Sequence, residues 1–141
     1  IEFTPLADDR YVAACRHDHP LARKTHLSWQ AYFEQDYIGL DRVSGNRTLL
    51  DRELAHLTPA RPSICETRHV TTMLGMVEAG IGIAAVPAMS MPAGEHSVLR
   101  AVPLTDPVVT RTVGLIRLSG RIQSYVAAEL EKLIIEQYPS G

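Results

Sequence analysis

The chain has 141 residues, 45% of them hydrophobic and 21% charged, with a formal net charge of −2. This is the composition of one globular domain with a core of its own, and it excludes a strongly basic, nucleic-acid-binding field as a global property. No apolar run reaches the ~20 residues of a membrane span, and two cysteines, Cys15 and Cys65, are too few for a disulfide framework.

Arg10–Arg16 is a short apolar strand, broken by His17-Asp18-His19-Pro20. Two histidines one residue apart on a loop, with no cysteine or carboxylate cluster at ligand spacing elsewhere, do not make a metal site. Both cysteines lie in apolar, strand-like runs, where buried thiols in a reducing cytoplasm are expected. The alternative, a redox pair bridging neighbouring strands, needs Cα atoms within about 7 Å. Leu27–Phe33 reads as a short amphipathic helix with Ser28 as N-cap and Leu27 as staple, its aromatics serving the core. Tyr37–Leu40 is a second strand.

Asp41–Thr48 follows, and then a helix to about Leu57 whose inner stripe is Leu50, Leu54 and Leu57, with Leu49 flanking and Ser44 as cap. This places hydroxyl, glycine, amide and arginine groups at a strand's carboxyl end and a helix start. Ligands bind at such ends in open α/β sheets, and the exposed N–H groups favour an anion. The same residues also describe an ordinary solvated loop, and composition does not choose between the two.

Pro59–Pro62 is a rigid connector into a third strand, Ser63–Glu66. Val70, Met73, Leu74, Val77 and Ile81 then recur at helical spacing and predict one buried stripe. Arg68, His69 and Thr71 occupy its first turn, again at a strand's carboxyl end; His69 there is either a ligand-contacting, pH-sensing group or only a polar helix start. Gly80 stops the helix in the left-handed conformation, and Ile83–Val86, closed by Pro87, reads as a fully buried strand. Met89–Ser97 is a loop. Val98–Leu104 is a strand placed at a sheet edge by Pro103, and Val108–Leu118 is a strand by its β-branched content. Gln123–Gln137 is a final amphipathic helix with Val126, Ala127, Leu130, Leu133 and Ile134 inward.

This order predicts an α/β fold, a mostly parallel sheet flanked by helices. The sequence holds no nucleophile elbow, Walker loop, zinc-protease motif or dinucleotide fingerprint. Gly80-Ile81-Gly82 follows a helix and precedes a strand, the reverse of the dinucleotide order. No catalytic residue, enzymatic activity or cofactor is therefore expected.

Two stretches carry a resemblance. His19-Pro20-Leu21-Ala22 after a strand, with Ser28-Trp29 opening the next short helix, and Val77-Glu78-Ala79-Gly80-Ile81-Gly82-Ile83-Ala84-Ala85-Val86-Pro87 after a helix, resemble the effector-binding domain of LysR-type transcriptional regulators. The resemblance spans about Leu6 to Gln137. It implies the second lobe of a type 2 periplasmic-binding-protein fold over residues 17–110, inter-lobe crossover strands at 10–16 and 111–118, and a closing helix within 119–141. Ile1-Glu2-Phe3 reads as the interior of a longer protein, so the helix-turn-helix and most of the first lobe are expected outside this chain.

The same resemblance implies a function. A small, commonly anionic metabolite would shift the balance between states of a bacterial, cytoplasmic regulator. That regulator would self-associate as a dimer or tetramer and touch DNA only through its helix-turn-helix, with no membrane involved. The family's second-lobe contacts fall here on Ser44, Asn46, Arg47, His69, Val70 and Thr71. Arg42 and Arg68 are supporting cations, which near helix N-termini would favour a dicarboxylate. The alternative is a solute-binding protein of the same fold serving a transporter. An α/β enzyme and a self-association module stand behind it.

Overall fold

The computed structural model describes residues 1–94 and 97–138. In chain order its elements are β1 (Glu2–Arg16), β2 (Leu27–Ser28), α1 (Trp29–Tyr32), β3 (Tyr37–Leu40), α2 (Gly45–Glu53), β4 (Cys65–Thr67), α3 (Val70–Glu78), β5 (Ile83–Pro87), β6 (Leu99–Thr105), β7 (Thr110–Arg117) and α4 (Tyr125–Gln137). Single 3-10 turns occupy Pro20–Arg23 and Ala88–Ser90. Residues 95 and 96 of the expected 89–97 loop, and 139–141 of the closing segment, lie outside the described residues. The chain forms two compact units, Arg10–Thr110 and Ile1–Asp9 with Arg111–Gly141.

The larger unit is built on the strand order β2-β6-β1-β5-β3-β4. β3 pairs in parallel with β4 and β5, and β2 with β6. β1 runs antiparallel to both β5 and β6. Five strands thus point one way and β1 the other, which makes the sheet mixed with parallel strands in the majority. Side chains alternate across it as strand geometry dictates. Tyr11, Ala13 and Cys15 enter one core, with Trp29, Tyr32, Tyr37, Ile83 and Leu104. Val12 and Ala14 enter the other, with Ile38, Leu40, Met73, Val77 and Val86. α1 and the leucines of α2 lie on the first face and α3 on the second, so β5 is buried along its whole length.

Several boundaries differ from the sequence reading, each for a physical reason. β1 begins at Glu2 rather than Arg10, because its first half alternates little: Pro5, Asp8 and Asp9 conceal the strand. The third strand starts at Cys65, two residues late, after Ile64 N–H has donated to the Tyr37 carbonyl at 3.0 Å. β6 is not the edge strand that Pro103 suggested; β2 pairs with its last residues, Leu104 and Thr105, while Pro103 sits opposite Val12 of β1. Ile81, read as the end of the α3 stripe, is 44% exposed. The helix has already ended at Glu78, and Gly80, at φ +84°, turns the chain away. Gly82 then passes so close to Asp36 that a Cβ would lie 2.6 Å from its carbonyl oxygen.

The redox alternative for the cysteines is ruled out by topology. Cys15 lies on β1 and Cys65 on β4, with β5 and β3 between them. Three strand spacings amount to about 14 Å, beyond disulfide reach; both thiols are free. Burial pushes the Cys15 thiol above its ordinary pKa, against the opposing charge of Arg100. His19, half of the histidine pair, has a local role: its Nδ1 accepts the Leu21 N–H at 3.0 Å and caps the 3-10 turn.

In the smaller unit the front of β1 pairs with β7. Arg111 Nε donates to Asp9 Oδ2 at 3.1 Å, Thr112 Oγ1 to Asp8 Oδ1 at 2.9 Å, and Arg117 Nε to Glu2 Oε2 at 2.6 Å. The carboxylate of Asp9 is 1% exposed, so its ion pair with Arg111 is what makes burial of that charge tolerable. Ser124 caps α4 by accepting the Ala127 N–H at 3.2 Å. The apolar stripe of α4 exists as read, but it is not inward among the described residues. Val126, Leu130 and Leu133 are exposed, and only Ile134 is half-covered.

Candidate functional site

The parallel register of β3 and β4 sets Leu40 beside Thr67. Asp41 N–H extends the ladder by one bond, donating to the Thr67 carbonyl at 3.0 Å. The 41–47 loop and the 68–71 turn therefore leave the sheet side by side, at the carboxyl ends of two adjacent parallel strands. α2 starts immediately after the first and α3 after the second.

Both helix starts have the same electrostatic character. Ser44 and His69 hold the N-cap positions in extended conformation, but neither side chain accepts a first-turn N–H. The capping expected of the Ser44 hydroxyl is thus not made. Its carbonyl instead receives the Thr48 N–H at 3.1 Å and the Thr48 hydroxyl at 3.3 Å, while the His69 carbonyl receives the Met73 N–H at 3.0 Å. No acidic residue lies in either first turn. Two positive helix ends stand together with no acid in either first turn, and the nearby carboxylates of Asp41 and Glu66 are paired with Arg68 and Arg47, an arrangement suited to an anion.

The side chains divide into three groups. Ser44 and Asn46 are half-exposed and His69 and Thr71 exposed on the two turns, with Arg42 exposed on the loop. Val70 packs against the α3-side core. The remaining candidates are held by partners. Arg47 turns back along its helix: Nη1 donates to the Leu40 carbonyl at 2.7 Å, Nε to Asp51 at 2.9 Å, and Nη1 reaches Glu66 at 3.4 Å. Partial burial opposes its charge, yet the bonds to Asp51 and Glu66 outweigh this and hold its pKa above the ordinary value. Arg68 Nε donates to Asp41 Oδ2 at 3.3 Å.

Four residues not singled out in the sequence shape the loop. The Tyr11 hydroxyl donates to Asn46 Oδ1 at 2.7 Å and fixes the amide's orientation from β1. Asp41 Oδ1 accepts the Val43 N–H at 3.2 Å and tightens the turn. Asp51 and Glu66 hold Arg47. Asp51 left a legible signal in its i, i+4 spacing from Arg47, and Asp41 in the local turn it makes with Val43 two residues on; Tyr11 and Glu66 depend on strand register. A cavity of about 640 Å³ lies in the same unit, and of the eight candidates only Arg47 lines it.

Residues 1–139 match the family model described as LysR substrate binding domain. The chain belongs to this LysR family. It is 42% identical over 135 residues to YbhD of Escherichia coli (strain K12), an uncharacterized HTH-type transcriptional regulator, covering 96% of this chain and 43% of that protein. It is 33% identical over 132 residues to the HTH-type regulator YfeR of Shigella flexneri, covering 94% and 42%. The chain thus spans less than half the length of these two relatives. Among solved structures, it resembles the effector binding domain of QuiR in complex with shikimate (TM-score 0.77, 23% identity, 97% of this chain and 65% of that one). It also resembles the regulatory domain of CcmR from Synechocystis PCC6803 in complex with 2-PG (TM-score 0.80, 19% identity, 97% and 66%). At those identities the structural likeness establishes the fold, which agrees with the α/β reading.

Proposed function

We propose that this LysR substrate-binding domain senses a small anionic metabolite at the 41–47 loop and the 68–71 turn. The observation carrying this reading is the pair of adjacent helix N-termini, neither capped by its own side chain and neither with an acid in its first turn. Ser44, Asn46, His69 and Thr71 supply hydroxyl, amide and imidazole groups around the backbone N–H donors. Arg42 supplies positive potential, while Arg68, paired with Asp41, ties the two turns together. Arg47 acts chiefly by holding the loop to the end of β3. In this reading residues 17–110 supply the second lobe, residues 10–16 and 111–118 the crossovers, and α4, within 119–141, the closing helix.

The ligand acts by binding one arrangement of the regulator more tightly than another. The protein that contains this domain is, on this proposal, a cytoplasmic transcriptional regulator that self-associates and contacts DNA through a separate DNA-binding domain. The named relatives are regulators, which favours this reading over a solute-binding protein serving a transporter. Ligands in two structural neighbours, shikimate and 2-PG, support a small-molecule effector.

The test uses the intact regulator. A thermal-shift screen of anionic metabolites identifies a binder through its stabilisation of the native state. Ser44→Ala and Thr71→Ala, each on an exposed or half-exposed turn, are expected to weaken that binder about 10-fold together, on the order of 1.4 kcal/mol, with the melting temperature of the unliganded protein unchanged. Unaltered affinity and unaltered transcriptional response in the double variant would place the site elsewhere.

A further inference from the structure

We propose that the cavity beneath α2 is a second ligand site, one that takes a small, flat, uncharged aromatic molecule. It does not rest on the anion reading, since Arg47 alone is shared between the two sets of residues.

The first observation is the state of α2. A surface helix ordinarily closes its apolar stripe onto the core, yet none of residues Gly45–Glu53 is buried. Leu49, Leu50 and Leu57 pack only partly against the aromatic core, and Leu54, just past the helix, is the one leucine of the segment that is fully covered. The half-covered side chains of Leu50 and Leu57 look into about 640 Å³ of space, within the ~300–1,000 Å³ that small-molecule sites occupy. The space is open to solvent on one side, which gives a ligand a way in.

The second observation is what faces those leucines. Trp29, Tyr32, Phe33 and Tyr37 form one ring cluster at the back of the cavity, with centroids 5.3 to 6.0 Å apart and several contacts edge-to-face; half-exposed Phe33, with a small part of Tyr37, is what reaches the space. Ring edges and faces of this kind accept a further planar ring in the same geometry. The Trp29 Nε1–H is already used, donating to the Pro107 carbonyl at 2.9 Å. The Tyr32 hydroxyl accepts the Ala85 N–H at 2.8 Å. Both rings are thereby fixed and buried, and they hold the ring of Phe33 in place from behind.

The third observation is charge. Two cations line the cavity, and each already has carboxylate partners: Arg47 holds Asp51 and Glu66, and Arg61 holds Asp36. Asp51 and Glu66 are themselves part of the lining. A charged ligand would be desolvated without gaining an uncommitted counter-charge, whereas a neutral one is spared that cost. The polar capacity available is modest. The Tyr37 hydroxyl donates to the Arg61 carbonyl at 2.9 Å, so its oxygen still accepts, and Ser63 is half-exposed on the same wall. One ligand hydroxyl donor matches this.

The experiment compares three isosteric probes on the intact regulator: 4-nitrobenzyl alcohol, the anion 4-nitrobenzoate and the cation 4-nitrobenzylamine. Hydrogen–deuterium exchange of peptides covering residues 45–57 is the readout. The neutral alcohol is expected to slow exchange there at least 3-fold, saturably, and at concentrations at least 10-fold lower than either charged probe. Leu50→Trp, which extends an indole into the cavity from α2 and partly fills it, is expected to abolish the protection while leaving cooperative unfolding intact. Should that variant not fold, Ala60→Leu on the connector wall gives the same test. Absence of saturable protection by the alcohol, equal or better protection by a charged probe, or protection that persists in the filled variant would overturn the proposal.

Discussion

Arg47→Met separates two roles that the guanidinium could have, because methionine keeps an unbranched apolar stem and deletes only the charged head. The charged bond to the Leu40 carbonyl is short, 2.7 Å, and half-buried. Bonds of that class contribute about 1.5–3 kcal/mol. The pair with Asp51 is an i, i+4 contact whose carboxylate is 62% exposed, which limits it to about 0.3–0.5 kcal/mol. The contact to Glu66, at 3.4 Å and 46% exposed, adds almost nothing. Arg47→Met is therefore expected to cost about 2–3 kcal/mol, with Asp51→Asn costing no more than about 0.5 kcal/mol. Urea unfolding checks this, the loss being read as a lower midpoint at an unchanged slope. If Asp51→Asn proves as costly as Arg47→Met, the ion pair rather than the carbonyl anchor holds the loop, and the reasoning fails. A cost below about 0.5 kcal/mol for Arg47→Met would show that the guanidinium does not anchor the loop at all. This ordering also explains why Ser44 and Thr71 are cleaner probes of ligand binding: an Arg47 variant changes the loop before any ligand arrives.

Two glycines predict opposite signs. Gly82→Ala drives a Cβ to within 2.6 Å of the Asp36 carbonyl oxygen, which also accepts the Ile83 N–H at 2.9 Å; a loss of about 2–3 kcal/mol is expected. Gly75, inside α3, has open space around its Cβ position, so Gly75→Ala should gain about 0.5–1 kcal/mol in the same unfolding assay. Burial pushes the Tyr32 phenol well above its ordinary pKa. The native state then keeps a proton that the unfolded chain releases above about pH 10. The stabilisation is complete below that pH and is lost as pH rises, by at most about 1.4 kcal/mol per pH unit for this group. Tyr32→Phe should flatten the fall between pH 9 and 11, and an unchanged slope would contradict the assignment.

Much of the fold was legible because local signals and tertiary packing agreed. Ser28 before Trp29 gave the α1 cap, the Ile83–Pro87 run gave the buried β5, and Gly80 gave the end of α3. Legibility failed where pairing partners decide. The first half of β1 carries Pro5 and two acids and is a strand because β7 lies alongside it. The short β2 turned an apparent edge at Pro103 into an interior position. The candidate site divides similarly. Its location at two strand ends followed from the alternation of strands and helices, and the parallel register of β3 and β4 brought the two turns together. What each side chain does there did not follow. Arg47 looked like an anion ligand, but its geometry is set by the Leu40 carbonyl and by carboxylates four and nineteen residues away. The orienting bond from Tyr11 to Asn46 spans 35 positions and has no local signature.

The uncapped starts of α2 and α3 have a consequence for how such a domain diversifies. Donors supplied by the main chain cannot be removed by point substitution, proline apart. A scan through Ser44, His69 and Thr71 would alter size, shape and hydrogen-bonding pattern while the attraction for negative charge persisted. On the proposed reading, affinity for anions and choice among them are thereby written in different parts of the polypeptide. A lineage built this way can exchange one ligand for another through a few side-chain changes, without first passing through a form that binds nothing.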